Sequence, residues 1–191
     1  SAVWAEVAAG ARVWWGSRRF DHGVADMPEA LRAQVAGAAR GGAAELARFR
    51  EVAAAAGAPP SLLAYTGLRA AGLLWSAGLT DEAHSAVGRA AAEYARLDDH
   101  AGLGACALTR GDWAATVVSS PVLWNLSATP SGMFGHGMAG GHGGREFDGG
   151  GALDTGAAAA EYDAAAEHFR RAGAGRGLAA VRLRRTYLAL V

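Results

Sequence analysis

Small and apolar residues recur along most of this chain at three- and four-residue steps, and few stretches alternate apolar with polar positions as a half-buried strand would. The pattern predicts an all-α protein. Asp26 stands three residues before Glu29, with Pro28 between them, a capping-box arrangement that opens a helix to about Arg40. Gly41 and Gly42 predict a break, and a second helix covers about Ala43 to Ala56 before Gly57, Pro59 and Pro60 stop it. Ser61 is the expected cap of a third helix, in which Leu63, Gly67, Ala70, Ala71 and Leu74 run along one side and Gly78 marks the end. Thr80, followed by Asp81 and Glu82 where the positive end of the helix dipole favours acids, opens a fourth helix to Leu97. A fifth runs from about His100 to Arg110 and is expected to stop at Gly111, with an apolar helix from about Trp113 to Leu126 after it.

Between Ser131 and Gly156 lie eleven glycines, which predict a long flexible insertion. Asp154 and Thr155 then cap a helix through Arg171, Gly173 and Gly175 make a turn, and a last helix starts at about Gly177. The expected organisation is helical hairpin repeats over residues 1–130, a Gly-rich insertion over 131–156 and a C-terminal hairpin of the same array over 157–191. The chain stops at Leu190 and Val191 in mid-pattern, where a solenoid carries a polar cap, so a segment of a longer protein is expected.

Short helix pairs call for a search for internal periods. Gly78 and Gly111 are 33 residues apart, and each follows a small residue by seven positions, Ala71 and Gly104. After Gly78, steps of five, four and three give Ala83, Val87 and Ala90; the same steps after Gly42 give Ala47, Glu51 and Ala54, with Pro59 five further on. Ala165, Phe169 and Ala172 repeat the last two steps. Small residues let two helices cross closely, and a larger apolar residue one turn later fills the gap left between pairs.

On these residues the chain resembles the tetratricopeptide repeat family. Ala77-Gly78-Leu79-Thr80-Asp81-Glu82-Ala83 looks like that family's turn between its two helices, and Leu103-Gly104 with Gly111-Asp112-Trp113 looks like the next unit. Tyr162-Asp163-Ala164-Ala165, with Phe169 and Ala172, is similar to the start of a second helix. The likeness covers roughly Pro28 to Ala115 and Tyr162 to Leu190, about three repeats. It departs from the pattern at Glu51, where a bulky apolar residue belongs, beyond Gly111, where the unit continues into Thr116 and Ser120, and at the glycine-rich insertion. The fold the resemblance implies is a short solenoid of stacked α-α hairpins; a generic helical bundle is the alternative.

All 18 basic side chains are arginines, balanced by 18 acids, and the zero net charge argues against a nucleic-acid partner held by bulk charge. Alanine and arginine in excess, with no lysine, read as coding from a GC-rich bacterial genome. One thiol excludes a disulfide framework, and no apolar run reaches the length of a membrane span, so a cytoplasmic protein is expected. Without lysine the glycines form no phosphate loop. Gly135-His136-Gly137 and Asp154-Thr155-Gly156 match protease motifs in letters, but no strand precedes either, and Asp154 reads as a helix cap. His136, His142, Glu146 and Asp148 could together bind a divalent metal, yet a glycine loop gives their spacing no fixed geometry, and a linker is the preferred reading. Cys106, between two alanines in a helix, reads as a packed thiol. His84 and His100 fall near helix starts, and Trp14, Trp15, Trp75, Trp113 and Trp124 read mostly as packing. Arg170, Arg171, Arg176, Arg182, Arg184 and Arg185 could receive an acidic peptide or a nucleic-acid backbone, although a solvated helix face, or one paired with acids on the neighbouring helix, is the better account.

The functional expectation is a non-catalytic array that binds or positions a protein or peptide segment, without cofactor, metal or membrane. By resemblance, such arrays in bacteria belong to larger signalling or regulatory proteins. The first helices of the pairs would line the inner surface, which nominates Arg69, Leu73 and His100, with Arg182 and Arg185 from the basic patch. Two alternatives remain: an enzyme whose insertion folds over a helical cleft using His136, His142 or Glu146, and a structural segment forming a homodimer.

Overall fold

A computed structural model describes residues 28–115 and 154–189. Among them every regular element is a helix, as the periodicity predicts. Helices α1 (Glu29–Ala55), α2 (Pro60–Ser76) and α3 (Thr80–Arg96) make one compact unit, and α4 (His100–Ala114), α5 (Thr155–Arg171) and α6 (Gly175–Leu188) make another, with the division between Asp98 and Asp99. No described helix is long and apolar enough to cross a membrane. Asp26, the predicted helix from Trp113 to Leu126 beyond Ala115, and the insertion up to Leu153 lie outside the described residues.

In the first unit α2 packs against both α1 and α3. Its core is made largely of alanine: Ala38 and Ala39 from α1, Ala64, Ala71 and Leu74 from α2, and Ala83, Ala86, Val87, Ala90 and Tyr94 from α3. Two of the anticipated caps are replaced by neighbours. Pro59 precedes α2 and Pro60 opens it, so Ser61 is already helical, and Leu79 precedes Thr80 without a side-chain cap. The stop at Gly78 is as expected: its φ of 75° lets Leu79 N–H reach back to Leu74 C=O at 3.0 Å, closing α2 with its carbonyls satisfied.

The predicted break at Gly41 and Gly42 does not occur. One 27-residue helix, about 40 Å long at 1.5 Å per residue, runs through both glycines. The physical reason is that each glycine costs about 1 kcal/mol relative to alanine, which the long alanine-, glutamate- and arginine-rich flanks outweigh. The first predicted hairpin is therefore absent, and Ala47, Glu51 and Ala54, set in register with Ala83, Val87 and Ala90, are all exposed. Nothing lies within 4 Å of a Cβ built at Gly37 or Gly41. Gly37→Ala and Gly41→Ala are expected to stabilise the protein by about 0.5–1 kcal/mol each, read as a higher urea midpoint at unchanged helical content.

In the second unit α5 packs against α4 and α6. Here too a glycine expected to end a helix does not: α4 runs through Gly111 to Ala114. Gly111 is needed for closeness, because a Cβ there would lie 2.6 Å from the Tyr162 ring, and one at Gly104, seven residues earlier, 2.7 Å from the Phe169 ring. A Cβ at Gly177 on α6 would meet Phe169 at 2.5 Å, so the Phe169 ring is seated between two glycines on two helices. Asp154 caps α5 as predicted, its carboxylate accepting from Ala157 N–H at 2.8 Å, and its own N–H donates to Ala114 C=O at 3.2 Å. The end of α4 and the start of α5 are thereby joined by the backbone.

The second helices of the two hairpins share one burial pattern. Ala83, Val87, Ala90 and Tyr94 of α3 are buried, and so, 75 residues on, are Ala158, Tyr162, Ala165 and Phe169 of α5. The left-handed residues that follow, Asp98 (φ 52°) and Gly173 (φ 63°), match in the same register. The predicted triple of Ala165, Phe169 and Ala172 is thus displaced by seven residues, and Ala172 is exposed. In the first helices the buried small pair Ala64 and Ala71 has its counterpart in Gly104 and Gly111, so Gly111 answers to Ala71, not to Gly78.

Candidate functional site

The first unit holds an open cleft of about 300 Å³ lined by Arg40, Ala43, Leu74, Glu82, Ser85 and Arg89. It arises because α1 and α3 both flank α2, whose Leu74 supplies apolar floor together with Ala43. Two ion pairs bridge α1 and α3: Arg40 to Glu82 at 2.6 Å and Arg50 to Glu93 at 2.7 Å. The hydrogen bond from Arg40, reinforced by its charge, holds the Glu82 carboxyl below its ordinary value. Arg89 donates to Ser85 Oγ at 2.7 Å along α3. The result is a mostly polar cleft with charges of both signs around Ala43 and the nearly buried Leu74.

The polar centre of the second unit is closed instead. Arg184 on α6, with only 1% of its side chain exposed, donates to Asp112 Oδ1 at 2.5 Å, and Tyr162 OH donates to the same oxygen at 3.0 Å. Burial pushes Asp112 above its ordinary carboxyl value despite both donors, and it likewise raises the Tyr162 phenol. At the rim Arg110 grips Glu161 with two hydrogen bonds of 2.7 and 2.9 Å. Cys106 is fully buried and its thiol is pushed up to about 12 by desolvation, which keeps it protonated and suits packing rather than nucleophilic attack.

His100, nominated from the sequence, is the first residue of α4 and half-buried; its Nδ1 lies 3.0 Å from Nδ1 of His168, in the last turn of α5. Arg69 and Leu73 are half-buried on α2 one turn apart, and the cleft is lined by Leu74, the neighbour of Leu73. Arg182 is exposed, and Arg185 pairs with Asp163 on α5. The arginine patch is largely matched by acids, with Arg170 and Arg171 on Glu167 and Arg184 on Asp112. Trp113 is buried, and Trp75 meets His84 edge-on at 5.8 Å. His136, His142, Glu146, Asp148, Trp14, Trp15 and Trp124 lie outside the described residues.

The sequence reading missed Arg40, Glu82, Ser85 and Arg89 as cleft residues, and Asp112 as the partner of Arg184. Asp112 carried a signal: a lone carboxylate beside Gly111 within an otherwise small and apolar helix face requires a buried cation or a route to water. No family model, curated protein or solved structure matches the chain.

Proposed function

We propose that the protein is a non-catalytic module of tetratricopeptide-like stacked hairpins that binds a polypeptide segment, with the cleft between α1 and α3 as the seat. The observation that carries this reading is the recurrence of one buried set, Ala83, Val87, Ala90 and Tyr94, as Ala158, Tyr162, Ala165 and Phe169 in a second hairpin. A shared packing code between hairpins is what an array of such units requires, and arrays of this kind offer distributed side chains rather than one reacting centre. Leu74 and Ala43 would receive apolar side chains of the segment, while Arg40, Glu82 and Arg89 would select for charge along its edges.

The test is selection of binding segments from a random peptide library displayed against the full chain, followed by titration of the selected peptide. Ser85→Trp, which fills the cleft from an exposed position, is expected to weaken binding at least tenfold, about 1.4 kcal/mol, whereas Arg48→Gln on the exposed side of α1 leaves it unchanged. Failure to enrich any saturable binder, or equal affinity for the Ser85→Trp protein, would overturn the proposal.

A further inference from the structure

We propose that His100 and His168 form an acid-released latch that holds the first turn of α4 to the last turn of α5. The two Nδ1 atoms are 3.0 Å apart, the ring centroids 5.2 Å apart and the planes inclined by 29°. The centroid separation exceeds the nitrogen separation by about the two ring radii, so the rings meet edge to edge, with nitrogen pointing at nitrogen. This is an N–H···N hydrogen bond between imidazoles. It also leaves no room for a metal ion in line between them, since two bonds of about 2.0–2.1 Å would hold the nitrogens roughly 4 Å apart.

Such a pair has three proton states with different consequences. In the neutral pair one ring carries its proton on Nδ1 and donates, while the other accepts on Nδ1 and carries its proton on Nε2. A first added proton goes to the unprotonated Nε2 of the donor ring, which becomes an imidazolium and strengthens the bond by charge assistance. A second proton has only the accepting Nδ1 left to occupy. That places two N–H groups face to face and two cations in contact, and the latch opens.

The surroundings oppose that charge. Burial, His100 itself and the guanidinium groups of Arg171 on α5 and Arg110 on α4 all hold His168 below its ordinary value. Three carboxylates on these helices have partners of their own: Asp99 accepts from Gly102 N–H at 2.9 Å, Glu167 is held by Arg170 and Arg171, and Glu161 by Arg110. From α6, Arg184 goes to Asp112, at the far end of α4 from His100. Because the folded-state value of His168 lies below its ordinary 6.5, the unfolded chain takes up the protons first. The latch therefore persists through the first protonation, and its contribution is lost as acid forces the second proton on, in the range below 6.5.

The experiment follows thermal unfolding of the full chain and of His168→Gln from pH 7.5 to 4.5, alongside ¹⁵N NMR of the imidazoles in the unmodified protein. The wild-type midpoint is expected to fall further than that of the variant over this range. The NMR spectra are expected to show one donating and one accepting Nδ1 at neutral pH, and two coupled protonation steps, the second well below the first. Equal pH dependence in the two proteins, or two rings titrating as independent sites, would overturn the latch; if the variant fails to fold, the NMR titration alone decides.

Discussion

Replacing Arg184 with alanine is expected to destabilise the second unit by about 3–5 kcal/mol, seen as a lowered urea midpoint or outright unfolding at 25 °C. The reason is what remains: Asp112 is left as a buried carboxylate with Tyr162 OH as its remaining named donor. Joint replacement of Arg184 by methionine and Asp112 by leucine is expected to recover most of the loss, because two charges that need one another are removed together. The deficit of the single variant should shrink in acid. Burial already holds Asp112 above its ordinary 3.8, so the folded state takes up this proton before the unfolded chain does, and acidification through that range favours the fold. A pH-independent deficit would show that the ion pair is not the source.

Phe169→Ala is expected to cost a similar amount, about 3–5 kcal/mol, through the cavity left where α4, α5 and α6 meet. The glycines on either side of the ring supply the converse experiment. Gly104→Ala and Gly177→Ala place a methyl group inside contact distance of Phe169 and should each cost about 1–3 kcal/mol by overpacking. In the Phe169→Ala background the same methyl groups enter vacant space, so their cost should vanish or change sign. Additive losses in that double-mutant cycle would mean that the ring and the glycines do not share a site.

How much of this was legible in the residues depends on whether the signal was local. Helix ends at Gly57, Gly78 and Gly173 could be read because each adopts a left-handed conformation that only a short local motif requires. Asp154 was readable as a cap for the same reason. Gly41, Gly42, Gly104 and Gly111 could not be sorted from sequence: a glycine that ends a helix, one that is tolerated within it and one that admits a neighbouring ring are identical letters. The register of the second hairpin was ambiguous because Ala158, Tyr162 and Ala165 carry the same four-then-three steps as Ala165, Phe169 and Ala172, and only burial separates them. The pairs Asp112–Arg184 and His100–His168 join residues 72 and 68 positions apart, so no spacing rule could have found them.

The backbone bond from Asp154 N–H to Ala114 C=O bears on what evolution can do with the stretch between. Chain leaves the scaffold and rejoins it at points one hydrogen bond apart, so the two ends that any connection must bring together are already held by α4 and α5. For a flexible connection the entropy of closing such a gap rises by only about 0.6 kcal/mol for each doubling of length. A flexible graft at this junction would therefore add little penalty to the scaffold that carries it.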